Sequence, residues 1–116
     1  MANASVELSG TRAVSDLVGG RADQIFGACL RQQTLAISGS TTTLTTAVTA
    51  AEITAANGDL VARVVTDDTG CYVAKGTTPD PTAASATGAT TARRWIPAGG
   101  EFVMRLVEGD KVAVHS

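Results

Sequence analysis

The apolar positions of this chain change their spacing near residue 32. Before that point Val6 and Leu8 alternate with polar neighbours over residues 5–9, as in a short strand, but no local partner follows. Further on, Ala22, Ile25, Phe26, Cys29 and Leu30 recur at i, i+3, i+4, i+7 and i+8, the spacing of one helical face. Gly27 inside that run costs a helix roughly 1 kcal/mol relative to Ala, so an extended segment competes with the helix. The pattern predicts an N-terminal arm over residues 1–31, with one short helix or an extended stretch, interrupted by Gly10, Gly19, Gly20 and Gly27.

Residues 32–116 carry the punctuation of an antiparallel β domain. Gln33–Ser38 alternates with Leu35 and Ile37 on one side, and Thr41–Val48 is a β-branched run offering Leu44 and Val48 to a core. Ala50–Ala56 suits a short strand or a single helical turn. Asn57-Gly58-Asp59 is a hairpin signal, because Asn and Gly tolerate the positive φ of tight turns. Leu60–Val65 then leads to Asp67-Asp68-Thr69-Gly70, with Gly70 expected in the left-handed position, and Cys71–Lys75 returns as the next strand. Arg94–Ile96, Glu101–Val107 and Lys111–Val114 complete the set, separated by Pro97-Ala98-Gly99-Gly100 and by a hairpin at Glu108-Gly109-Asp110. The expected fold is all-β: one antiparallel β-sandwich or barrel with an N-terminal arm.

Composition sharpens this picture. Ala, Thr and Gly fill 49 of the 116 positions, and Leu, Ile, Val and Phe only 25. A core this thin predicts association, with copies of itself or with a larger partner. The arm's apolar residues Val14, Leu17, Val18, Ile25, Phe26 and Leu30 are too many for a solvated tail. They either order on a neighbouring chain or complete the domain's own core; on the first reading, removal of residues 1–31 leaves the domain from Gln33 onward folded.

Nine basic and eleven acidic residues are scattered, and Arg93-Arg94 is the one basic pair. That is not the footprint of a nucleic-acid binder. No stretch approaches the ~20 apolar residues of a membrane span, and Met1–Ser5 lacks the cationic and apolar regions of a secretion signal, so cytoplasmic synthesis is expected. Cys29 and Cys71 read as free thiols buried as small core hydrophobes, although parity allows a disulfide. His115 is the one histidine, no spacing of metal ligands occurs, and no nucleophile has a base at a fitting position. The expectation is a non-enzymatic protein with no cofactor and no metal.

The span from Gly76 to Thr91 holds Pro79 and Pro81 but no large apolar side chain, and a surface loop of this length in a small domain usually serves a partner. Taken together, Leu60–Val65, Asp67-Asp68, Cys71-Tyr72-Val73-Ala74-Lys75-Gly76-Thr77-Thr78-Pro79, Trp95-Ile96-Pro97-Ala98-Gly99 and Gly109-Asp110-Lys111-Val112-Ala113-Val114 form a recognisable series. Over residues 60–114 the chain resembles the small β-structured virion proteins of tailed bacteriophages; Asp80-Pro81 departs from their commoner Pro-Thr-Ala continuation. The resemblance implies a structural protein on the capsid surface, a decoration or cement protein that binds the major capsid protein, with a neck or tail ring component as the alternative. A small glycan-binding β domain is a third reading, weakened by the presence of only four aromatic residues.

The candidate partner contacts are Leu17, Val18, Ile25, Phe26 and Leu30 in the arm, Pro79 and Pro81 in the loop, and Arg93, Arg94 and Trp95 beside it. Trp95 is either a core plug or an interface anchor, and the arginine pair either meets acidic capsid residues or stays solvated.

Overall fold

The computed structural model describes the backbone of residues 2–15, 22–83 and 91–116, and side chains at 2–10, 29–83 and 91–116. The chain forms β1 (Asn3–Ser15), β2 (Ala22–Ala36), β3 (Thr42–Thr43), α1 (Ala50–Ala55), β4 (Leu60–Thr66), β5 (Cys71–Gly76), β6 (Arg94–Ile96), β7 (Glu101–Arg105) and β8 (Lys111–His115). The strands make two four-stranded antiparallel sheets, β2-β1-β4-β7 and β3-β8-β5-β6, packed as a sandwich with no closed barrel among the described residues.

Strand alternation fills the space between the sheets. Ala4, Val6 and Leu8 of β1, Leu35 of β2 and Leu60, Ala62 and Val64 of β4 face Cys71, Val73, Ile96, Val112 and Val114 of the second sheet, all essentially without solvent exposure. Each fully buried Val, Leu or Ile side chain contributes ~1.5–3 kcal/mol. Leu35, Ile37, Leu44, Leu60, Val64, Val73, Ile96, Leu106, Val112 and Val114 are all buried in this way. On the outer face of the first sheet Arg63 lies between Glu101 at 2.6 Å and Glu7 at 3.6 Å, an exposed cross-strand ladder set among Val61, Val65 and Val103.

The arm expected over residues 1–31 does not lie apart from this sandwich. β1 is a central strand, paired with β2 on one side and with β4 on the other from Ala4↔Thr66 to Gly10↔Leu60. The division at residue 32 falls inside β2. Residues 22–30 form no helix, and the register explains their misleading period. Leu8 faces Arg31, Ser9 faces Cys29 and Thr11 faces Phe26, so β2 carries one additional residue at each of two bulges. Two insertions break the alternation of period two and leave apolar residues at spacings that mimic a helix. Gly27 sits within the second bulge, where the lack of a side chain is tolerated.

Several turns also join different partners from those expected. Asn57 (φ 54°) and Gly58 (φ 80°) do take positive φ, but they end α1 and lead into β4 instead of closing a hairpin. The helix is a single short element with Thr49 as N-cap and Glu52 completing a capping box. Residues 67–70 carry the chain from β4 in one sheet to β5 in the other, and residues 106–110 likewise carry it from β7 to β8, so neither is a hairpin. Asp67 fixes the first crossing by accepting hydrogen bonds from the backbone N–H groups of Asn3, at 2.7 Å, and Thr69, at 3.2 Å. Desolvation would raise the pKa of this exposed carboxyl, but these donors outweigh it and hold the group below its ordinary value.

Gly70 has no positive φ. A Cβ there would stand 2.6 Å from Cζ2 of Trp95 and 2.8 Å from the carbonyl oxygen of Ile96, so the position is glycine because β6 and its tryptophan ring pass directly over it.

Candidate interaction surfaces

Two regions stand out from the surface of this sandwich. The first is the end of the β1–β2 hairpin. Beyond Gly10↔Leu60 the first sheet loses β4, yet β1 and β2 continue to pair with each other from Thr11↔Phe26 to Ser15↔Ala22. At ~3.4 Å per residue those five pairs carry a two-stranded ribbon roughly 17 Å past the sheet. Among the described residues no third strand accompanies it. Ile25 and Phe26 lie on this ribbon by backbone register, while Leu17 and Val18 lie outside the described residues. Leu30, at the root of the ribbon, is 36% exposed.

The root is anchored. Arg31 donates through Nε to Glu52 of α1 at 2.7 Å and through Nη2 to the Thr46 carbonyl at 2.9 Å, and Gln33 exchanges hydrogen bonds with the hydroxyl and N–H of Thr45. Burial alone would raise the pKa of Glu52. The Arg31 guanidinium and the Thr49 N–H outweigh it and hold the carboxyl below its ordinary 4.5.

The second region surrounds β6, an edge of the second sheet. Cys71 and Val73 point inward, so the residue between them, Tyr72, points outward, opposite Trp95. The two rings meet edge to face with centroids 4.9 Å apart, and the Arg93 guanidinium lies 4.0 Å above the Tyr72 ring. Trp95 is 52% exposed, which rules out the core plug. On the inward side of the same strand Arg94 reaches the flank of the sandwich and lies 4.8 Å over the Phe102 ring of β7. Beside it a cleft of about 190 Å³ opens between the sheets, lined by Val73, Lys75, Thr91, Arg94, Phe102 and Met104. Lys75 spans the cleft and donates from Nζ to the carbonyl of Arg105. Sequence reasoning passed over Tyr72 and Phe102; the inward positions of Cys71 and Val73 were the signal for the former.

The loop prolines behave differently from expectation. Pro79 is half-buried, and Pro81 is fully buried, so Pro81 offers no partner contact. Asp80 accepts from the Thr82 hydroxyl and N–H, which hold its carboxyl below the ordinary range, and the Ala83 carbonyl accepts from the Arg93 N–H. Ala74 and Ala113 pair on the outer face of the second sheet and are nonetheless buried.

Cys29 is exposed, contrary to its reading as a core residue, whereas Cys71 is buried and both are free thiols. Burial, with the nearby charge of Asp67, pushes the Cys71 thiol up to about 11, which suits a packing role and not a nucleophile. Among the described residues no three metal-ligating side chains gather, and no helix is long and apolar enough to cross a membrane. No protein-family model, curated protein or solved structure matches this chain.

Proposed function

We propose that the protein is a non-enzymatic structural component of a tailed-phage particle, a capsid decoration protein that binds and stabilises the lattice of major capsid protein. The observation that carries this reading is the ribbon. A two-stranded ribbon is marginal in water unless a further surface covers it, so one built onto a rigid sandwich and tied down at its root by Arg31, Glu52 and Gln33 fits a tethering role. The series of turn and strand residues from 60 to 114 supports the same class of protein through its resemblance to virion proteins. The exposed Trp95 and the unburied arginines supply further contact area of the kind interfaces favour.

The test shortens the ribbon without touching the sandwich. Thr11 and Phe26 are a cross-strand pair, so an Asn-Gly turn joining them directly replaces residues 12–25 with a tight two-residue hairpin. The full chain is expected to sediment with capsids stripped of decoration, and the shortened chain to remain in solution while melting normally. Equal binding by the shortened chain refutes the ribbon as the tether. Electron microscopy of the particle decides the location: copies spread over the shell support decoration, and a single ring at the vertex supports a neck or tail component.

A further inference from the structure

From the surface around β6 we infer a second binding site, one that takes an acidic, extended segment of a partner protein. Three of the chain's four aromatic residues, Tyr72, Trp95 and Phe102, gather at this edge together with its one Arg-Arg pair. Chance burial does not account for that, because Trp95 is half exposed although its position is set in advance by the Tyr72 ring and by the missing side chain of Gly70. A rigid, exposed aromatic costs little entropy to engage.

The charge balance names the partner. Arg31, Arg63 and Arg105 each meet a carboxylate. Arg93 and Arg94 meet none among the described residues, and each guanidinium is instead laid over a ring. Stacking fixes the plane of a guanidinium while leaving its N–H fork available for bidentate binding to a carboxylate. Arg94 opens β6 and Arg93 immediately precedes it, one over the Phe102 ring and the other over the Tyr72 ring, so one extended segment running along β6 can reach both. Among the described residues β6 is an edge strand paired with β5, and the Ala83 carbonyl accepts from the Arg93 N–H just before it, so the segment is held by the side chains along β6. An apolar side chain of that segment would rest on Trp95, or enter the cleft over Phe102 and Met104.

Discrete carboxylates suit this site better than a polyphosphate backbone. Asp67 and Asp68 sit in the crossing that ends at Gly70 beneath Trp95, and a continuous line of phosphates would run into them. The inference rests on this geometry and holds whether or not the protein decorates a capsid.

The full chain is titrated with three probes: a short blocked peptide alternating Glu and Val, its Lys-for-Glu counterpart, and oligo-dT. Emission of the single tryptophan and amide NMR shifts are followed together. The Glu peptide is expected to shift Trp95 emission, to move the resonances of Arg93–Ile96, and to bind at least roughly tenfold more weakly to Arg93→Gln and to Arg94→Gln, since each change removes a charge-assisted hydrogen bond. The Lys peptide is expected not to bind. Failure of the Glu peptide to bind, equal binding of the Lys peptide, or shifts located away from β6 overturn the inference. Tighter binding of oligo-dT overturns it in favour of nucleic acid. Because the shifts are read on the unmodified chain, the test stands even where a variant is poorly folded.

Discussion

The change Leu8→Ala separates a core strand from a docking arm most directly. Leu8 is 1% exposed on the inner face of β1, with Arg31 opposite on β2 and Ala62 opposite on β4. Its neighbours along the same face are Val6 and Gly10. Removing three carbon atoms loses about 2.4 kcal/mol of transfer energy at ~0.8 per group, and an unfilled cavity adds to that. Ala62 and Gly10 have nothing to extend into the space, and Arg31 is held by Glu52, so collapse is poor. The expected cost is about 3–4 kcal/mol, in the upper half of the usual range for Leu→Ala. A domain of this length has roughly 6–17 kcal/mol in total. Urea unfolding followed by far-ultraviolet circular dichroism should show the midpoint falling by about 2 M with the slope unchanged. Val107→Ala, at a side chain 59% exposed, serves as the control and should stay within about 0.5 kcal/mol. If Leu8→Ala behaves like that control, β1 does not hold the core together and the arm reading is restored.

Other outcomes follow from the same packing. A chain lacking residues 1–31 should be unfolded by circular dichroism, because it loses β1 whole and leaves β4 without its partner. Gly70→Ala should cost about 1–3 kcal/mol in a thermal melt and shift Trp95 emission, since the new Cβ meets both the ring and a backbone carbonyl. Glu52→Gln should cost about 1–2 kcal/mol at neutral pH. The folded pKa of Glu52 is depressed, so its contribution is complete above the ordinary value of 4.5 and is lost as pH falls through the lower folded value; urea midpoints of wild type and Glu52→Gln should converge in acid. A thiol reagent at neutral pH should label Cys29 promptly and Cys71 only on unfolding; prompt double labelling would contradict the burial of Cys71.

The sandwich and most of its strands were legible in the sequence because alternation is a local property. In Glu101–Val107 the alternation sets Phe102, Met104 and Leu106 against Val103, Arg105 and Val107, and the structure buries Met104 and Leu106 and leaves Val103 and Val107 exposed. Partner choice was not legible. Asp67–Gly70 and Glu108–Asp110 have turn chemistry, but turn chemistry says only that the chain bends and not which sheet it enters next. The role of β1 was hidden for a related reason, since its second partner, β4, begins some fifty residues later. Cys29 was misplaced because bulges in β2 spoil the period that assigns faces. Trp95 could not be assigned from a strand of three residues, too short to establish an alternation.

The strand order has a consequence for how the molecule comes into being. β1, the first strand, lies inside one sheet, and β8, the last, lies inside the other, between β3 and β5. During synthesis the first sheet lacks its middle until β4 has been made to flank β1. The second has no connection between β3 and the β5–β6 pair until Lys111–His115 exist. Almost all of the chain must therefore wait, with apolar faces uncovered, for its final five-residue strand. Folding should be a late, concerted and comparatively slow event dominated by distant pairings. A nascent chain stalled before β8 would be a substrate for chaperones and proteases, not a partly working protein.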